Sequence, residues 1–218
     1  MKNFAKHLIK LHNIIMNLTK PISLVGIMGA GKSSFGKKIS KKLAIPFFDI
    51  DNEIKIKSGY STKEIFNCFG ENKLKETEFS IIQETLNKTN AIIATGDCIA
   101  DNEKAWEYLK ENSIIVWLNL DLRLIAQRLK PNDDRPHLME DAQDMLQVVT
   151  ALYRKRAKQY KQAHIKIYQP NLSKKKFLQK LNKFQTKNEE QQEALNASEP
   201  SEKHIKKQNF LKKEKKCG

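Results

Sequence analysis

The stretch Gly26-Ile27-Met28-Gly29-Ala30-Gly31-Lys32-Ser33 constrains this chain more than any other. It fits G-x-x-x-x-G-K-[ST], a phosphate-binding P-loop in which a glycine-rich turn leads into a helix. Three glycines let the backbone wrap tightly and turn its N–H groups toward a polyphosphate. Lys32 can reach the β- and γ-phosphates, and the Ser33 hydroxyl can ligate Mg²⁺. Gly29, Ala30, Gly31, Lys32, Ser33 and Ser34 are the expected nucleotide-binding residues, with Lys32 catalytic as well. Both flanks agree. Ile22-Ser23-Leu24-Val25 has the make-up of a short buried strand, and residues 34–43 continue as an amphipathic helix. That order aims a helix N-terminus at the anion.

From residue 22 the chain alternates. Apolar, β-branched runs recur at 22–27, 46–48, 91–95, 114–118 and 165–168. Helical patterns fall near 32–43, 53–69, 72–87, 103–111, 121–129 and 141–163. Strand–helix alternation predicts an α/β fold, with a parallel five-stranded sheet covered on both faces. Right-handed crossovers then place ligands at the carboxyl ends of the strands.

The ends differ from this middle. The net charge is +15 over 218 residues. Residues 1–21 hold four lysines and no acid, and residues 171–218 hold 13 lysines against six glutamates, so 22–170 carries only +4. A nearly balanced middle suits an enzyme handling anionic nucleotides, and the basic ends are expected to be solvated, with no specific nucleic-acid partner. Residues 1–18 are basic and amphipathic, but lack the Arg and Ser of a targeting peptide; an extra helix, or a translation start at Met16, is the expectation. Residues 171–184 predict one more amphipathic helix, and the Lys-rich remainder, 185–218, is expected to be disordered. Three cysteines, odd in number and not spaced for a metal, fit a reducing cytoplasm. No apolar run approaches the roughly 20 residues of a membrane span.

Two further groups carry chemistry. Asp49 and Asp51 end the second strand pattern, where i and i+2 face one way. One carboxylate can hold Mg²⁺ and the other can accept a hydrogen bond from a substrate hydroxyl. Arg128 and Arg135 bracket a polar segment, 129–134, punctuated by prolines. It is expected to close over the nucleotide as a lid, excluding water and bringing cations to the transferring phosphoryl. Arg156 is suited to bidentate carboxylate binding, yet its place on the helix alone assigns it to the surface.

Together these residues resemble shikimate kinase, over about residues 22–168. Residues 26–33 with Ser34-Phe35-Gly36 look like that family's extended P-loop. Phe47-Phe48-Asp49-Ile50-Asp51-Asn52-Glu53-Ile54 looks like its Asp-x-Asp segment. Ile65-Phe66, Gly70-Glu71 and Glu78 match the start of its acceptor region. Arg135-Pro136 matches its lid, continued here by His137-Leu138, and Arg156-x-x-x-Tyr160-x-x-Ala163 matches its last helix. The resemblance implies a three-layer P-loop kinase fold, ATP and Mg²⁺ as cofactors, and shikimate as the small-molecule substrate. The reaction would move the γ-phosphate onto the 3-hydroxyl, a step toward chorismate and the aromatic amino acids. It implies that Ser33 and Asp49 serve the metal and that Asp51 meets the acceptor hydroxyls, as proton acceptor. Arg128 would lie against adenine, Arg135 would reach the phosphates, and Arg156 would hold the acceptor's carboxylate. A cytoplasmic monomer is the expected form.

The chain departs from the family twice. Lys75 stands where the family has arginine, keeping charge but losing the planar fork. Gly96-Asp97-Cys98 stands where it has three glycines. A carboxylate at Asp97, about 6 Å from an acceptor carboxylate, would repel it by ~2–3 kcal/mol at an effective dielectric near 20. Lys75, Gly96 and Asp97 are therefore the acceptor-side residues to watch. Three readings follow. Asp97 turns to Mg²⁺ or pairs with Lys75 and shikimate is used; or the substrate is another polyol or sugar; or the protein is a nucleotide-binding regulatory module. The intact Lys32, Ser33, Asp49, Asp51, Arg135 and Arg156 favour the first.

Overall fold

A computed structural model of the chain describes residues 18, 20–87, 90–129, 145–169 and 171–198. The elements run β1 (Ile22–Val25), α1 (Lys32–Leu43), β2 (Phe47–Asp49), α2 (Ile50–Ser58), α3 (Thr62–Leu86), β3 (Ile92–Ala94), α4 (Glu103–Asn112), β4 (Ile114–Leu118), α5 (Leu122–Arg128), α6 (Met145–Tyr160), β5 (Ile165–Ile167) and α7 (Lys174–Ser198). A single 3₁₀ turn, Ile99–Asp101, precedes α4.

The five strands form one sheet in the order β2-β3-β1-β4-β5, and every pairing is parallel. Ile22 of β1 is in register with Ile92 of β3 and with Ile114 of β4. Every residue of β1, β3 and β4 is buried, whereas the edge strands β2 and β5 keep partly exposed positions. Strands covered on both faces need unbroken apolar runs, which explains why the three central segments do not alternate. The order reverses about β1, so a crevice opens at the carboxyl ends of the central strands.

Local signals set the helix boundaries. Ser61 starts α3 with a capping box: its Oγ accepts from the Glu64 N–H at 3.2 Å, and the Glu64 carboxylate accepts from the Ser61 N–H at 2.6 Å. Gly70, at φ 83°, breaks α3 where the helical pattern lapses between residues 69 and 72. The pattern predicted over 53–69 is two helices, parted at Gly59, which holds φ 77°. On α6, Tyr160 stacks on Trp117 of β4 with centroids 5.6 Å apart, and Trp106 of α4 meets it edge-on at 6.1 Å. This aromatic cluster presses the last turns of α6 onto the core. Arg156 lies one turn before Tyr160, on the same face.

The main unit ends at Leu178. Within it, Phe177 at the start of α7 meets the Phe35 ring of α1 at 5.6 Å. The second unit begins at Gln179, and its described part is the rest of α7. Disorder was expected from residue 185, but 185–198 are helical. Ala, Gln, Glu and Lys have high intrinsic helix propensity, so local preference carries the helix through a stretch with few apolar residues. Residues 1–17 and 199–218 lie outside the described residues, as does the segment 130–144 with Arg135. Among the described residues, no helix is long and apolar enough to cross a membrane.

Candidate functional site

A cavity of about 560 Å³ opens at the crevice. Residues 29–34 line one side of it, so the expected P-loop is in place. Gly29 and Gly31 hold φ of 75° and 84°, the left-handed region that a Cβ disfavours. With those turns made, α1 begins at Lys32 and its unpaired N–H groups stand at the cavity wall. The first turn of α1 carries no acidic residue. An anion at this helix end thus meets no fixed negative charge within the turn.

Lys32 is 7% exposed. Its Nζ donates to the carbonyls of Gly26 at 2.8 Å and Ile27 at 3.5 Å, and to Asp97 Oδ1 at 2.8 Å. Asp97 therefore faces the P-loop lysine, and Lys75 donates to Glu71 at 2.8 Å. Of the two alternatives for Asp97, Mg²⁺ or a pair with Lys75, the second is not formed: each of the two residues has another partner. Asp97 follows β3, whose end abuts β1 and its loop, whereas Lys75 sits on α3 one turn from Glu71.

Asp49, Asp51 and Arg128 line the same cavity. Arg128 ends α5, and its Nη1 donates to the Gly29 carbonyl at 3.4 Å. Asp49 ends β2, but Asp51 belongs to the first turn of α2. The alternation argument for this pair does not hold: a helix start, and not a strand, brings the second carboxylate round. Among the described residues, no group of three or more acidic, cysteine or histidine side chains is placed to hold a metal. Mg²⁺ takes one or two carboxylates and completes its shell with phosphate oxygens and water. Ser33 and Asp49, both on the cavity wall, are the residues that suit it.

Gly96 explains itself by close approach. A Cβ there would sit 2.3 Å from Glu78 Oε1 and 3.0 Å from Asp51 Oδ1. Glu78 is 3% exposed, and its Oε2 has no hydrogen-bond partner. Burial pushes its carboxyl up to about 8, and the charges of Asp51 and Asp97 push the same way. At neutral pH Glu78 is protonated. The sequence carried a signal for it: Leu74, Glu78, Ile81, Ile82 and Thr85 fall on one helical stripe, and all are buried.

A second cluster gathers at Cys98, the chain neighbour of the cavity-lining Asp97. Arg156 is 2% exposed, which overturns its surface assignment. Its Nε and Nη2 both donate to Asp101 Oδ2, at 2.9 and 2.7 Å, and Nη2 also approaches Cys98 Sγ at 3.9 Å. Lys155 reaches the other oxygen of Asp101 at 3.3 Å. Arg156 Nη1 is buried with no hydrogen-bond partner; such a donor costs about 1–3 kcal/mol. Burial alone would lower the Arg156 pKa, but the bond to Asp101 raises it. Burial alone would likewise raise Asp101, but Arg156 and Lys155 hold it below the usual carboxylate range. The Cys98 thiol is pushed up to about 12 by burial and stays neutral. Asp101 and Lys155 belong to no sequence motif; Lys155 precedes Arg156 directly, and the fold brings Asp101, 55 positions from Arg156, to both.

Residues 28–212 match the family model "SKI: Shikimate kinase". A shikimate kinase of Persephonella marina is 36% identical over 146 residues, covering 67% of this chain and 87% of that protein. A shikimate kinase of Staphylococcus aureus is 36% identical over 152 residues, covering 70% and 85%. Among solved structures, shikimate kinase from Acinetobacter baumannii in complex with shikimate aligns with a TM-score of 0.70 at 28% identity, covering 80% of this chain and 98% of that one. The structure from Aquifex aeolicus aligns at 0.63 and 28%, covering 77% and 97%.

Proposed function

This chain belongs to the shikimate kinase family, and we propose that it transfers the γ-phosphoryl group of ATP to the 3-hydroxyl of shikimate with the help of Mg²⁺. The observation that carries this reading is the shared cavity: P-loop residues, Lys32, Asp49 and Asp51 line one wall-to-wall space.

Each residue has a physical task. The N–H groups of residues 29–34 and the start of α1 cradle the phosphates. Lys32 neutralises charge on the transferring group, after exchanging Asp97 for phosphate oxygens. Arg128 lies against the adenine, and Arg135 brings a further cation to the phosphates. Ser33 and Asp49 would hold Mg²⁺, which would supply charge neutralisation. The acceptor's O3 attacks Pγ as its proton passes to the Asp51 carboxylate. The bond from Pγ to the ADP oxygen breaks in the same displacement. P-loop phosphoryl transfer rests on positioning and charge stabilisation, so an ordinary carboxylate suffices here.

On the acceptor side, Gly96 leaves room for the Glu78 and Asp51 carboxyls, and Arg156 receives the acceptor's carboxylate with Lys75 nearby as a second cation. Neither another polyol nor a purely regulatory role gains support from the residues in place. Three cysteines in 218 residues, too few for a disulfide scaffold, suit a cytoplasmic enzyme, and a monomer is the proposed form. The test is direct: purified protein with ATP, Mg²⁺ and shikimate should yield shikimate 3-phosphate and ADP in equal amounts. Tight nucleotide binding without that product would select the regulatory-module reading.

A further inference from the structure

Arg156 is held from one side only. Asp101 Oδ2 takes its Nε and Nη2 hydrogens, and Nη1, at the far end of the guanidinium, is buried without a partner. Buried donors are nearly always satisfied in native proteins, so one left open on a guanidinium that reaches Cys98, the chain neighbour of the cavity-lining Asp97, marks a place for a ligand acceptor. The charges around it say which kind. Lys75, Lys155 and Arg156 stand against Glu71 and Asp101, which interact with them directly or feel their charge. Three cations against two carboxylates leave one positive charge, enough to receive one monoanion. Asp101 also solves a geometric problem. A planar guanidinium on a long side chain has several rotamers, and a carboxylate gripping one side fixes the direction of the other.

We propose that Asp101 is a positioning residue for the acceptor: it orients Arg156 so that Nη1 meets the acceptor's carboxylate, while Lys155 on its second oxygen keeps the cluster net positive. The inference rests on the shikimate-phosphorylating reading, because it needs Arg156 to face the acceptor. Nothing in the P-loop touches Asp101, so its effect should fall on one substrate alone.

The experiment measures kcat and the KM of each substrate for Asp101→Ala, Asp101→Asn, Lys155→Ala and Arg156→Ala. Loss of a charged hydrogen-bond partner predicts a ~10- to 100-fold rise in the shikimate KM for Asp101→Ala, with the ATP KM moved by less than about threefold. Asp101→Asn, which keeps an oxygen for Arg156, should recover part of that loss. It also serves as the readable variant where the alanine form does not fold. Lys155→Ala should show a smaller rise, about two- to fivefold, as expected of an exposed ion pair. Equal losses in both substrates and in thermal stability would overturn the proposal, since a merely structural role predicts them. So would an unchanged shikimate KM in both Asp101 variants while Arg156→Ala raises it. An unchanged KM in Arg156→Ala would instead remove the premise that Arg156 meets the acceptor.

Discussion

The two walls of this site are built on different principles. The nucleotide wall is backbone: residues 29–34 form one contiguous turn, and positive φ at Gly29 and Gly31 shapes it. The wall proposed for the acceptor is made of side chains drawn from distant parts of the chain: Glu78 from α3, Asp101 from the turn before α4, and Lys155 and Arg156 from α6. A backbone cradle needs glycine and little else. A side-chain wall needs each charge to have a counter-charge, and here Asp101 serves Arg156 while burial keeps Glu78 neutral. The difference teaches where each wall tolerates change. Substitution in the loop alters one local shape, whereas substitution in the cluster unbalances several partners at once.

That contrast can be broken most forcefully at Lys32. Lys32→Ala removes the cation from the transferring phosphoryl, and kcat should fall by about 10²–10³, the scale for losing one preorganised donor. Steady-state kinetics at saturating substrates checks this; a fall below tenfold would mean that Lys32 does not carry the transition-state charge. Next in size is Arg156→Ala, expected to lower kcat/KM for shikimate about 100-fold while leaving the Kd of ATP nearly untouched. A loss shared with ATP would show that the two walls are not separable.

A smaller effect sharpens the acceptor wall. Glu78 has its folded pKa raised to about 8, above the ordinary carboxyl value of 4.5. A raised carboxyl binds a proton in the folded state that the unfolded state releases. Its stabilising contribution is therefore complete below about 4.5 and is lost as pH rises through about 8. Stability should thus decline over that window, and Glu78→Gln should flatten the decline; urea midpoints at several pH values measure it. Ionisation near 8 also cancels the cluster's net positive charge, so the shikimate KM should rise above that pH in wild type and less in Glu78→Gln. A wild-type stability curve parallel to that of the variant would show Glu78 ionised throughout.

Legibility in the sequence follows the same division. The sheet was readable because its central strands are buried on both faces and so appear as continuous apolar runs, as at residues 114–118. The P-loop was readable because its chemistry is contiguous. Arg156 could be recognised only through the family pattern. Nothing in a helical heptad reveals that Trp117 and Trp106 draw Tyr160, and with it Arg156, into the core. Asp51 lines the cavity, but by another geometry than strand alternation, since a strand that ends at Asp49 leaves the next carboxylate to a helix start. Asp101 was invisible because an acid before a helix is common, and its partner lies 55 positions away. The helix over 185–198 was missed because weighing buried surface alone ignores intrinsic propensity.

Asp97 is where the two walls meet and where the account is most exposed. The sequence assigns it to the acceptor, as a carboxylate that repels another; the structure sets it 2.8 Å from the P-loop lysine. The most direct test is to measure ATP and shikimate binding side by side in wild type and Asp97→Asn. Removing the carboxylate that competes for Lys32 should tighten ATP about tenfold, the scale of a charged hydrogen bond, and change shikimate by less than about twofold. Tighter shikimate with unchanged ATP would contradict the account and return Asp97 to the acceptor wall.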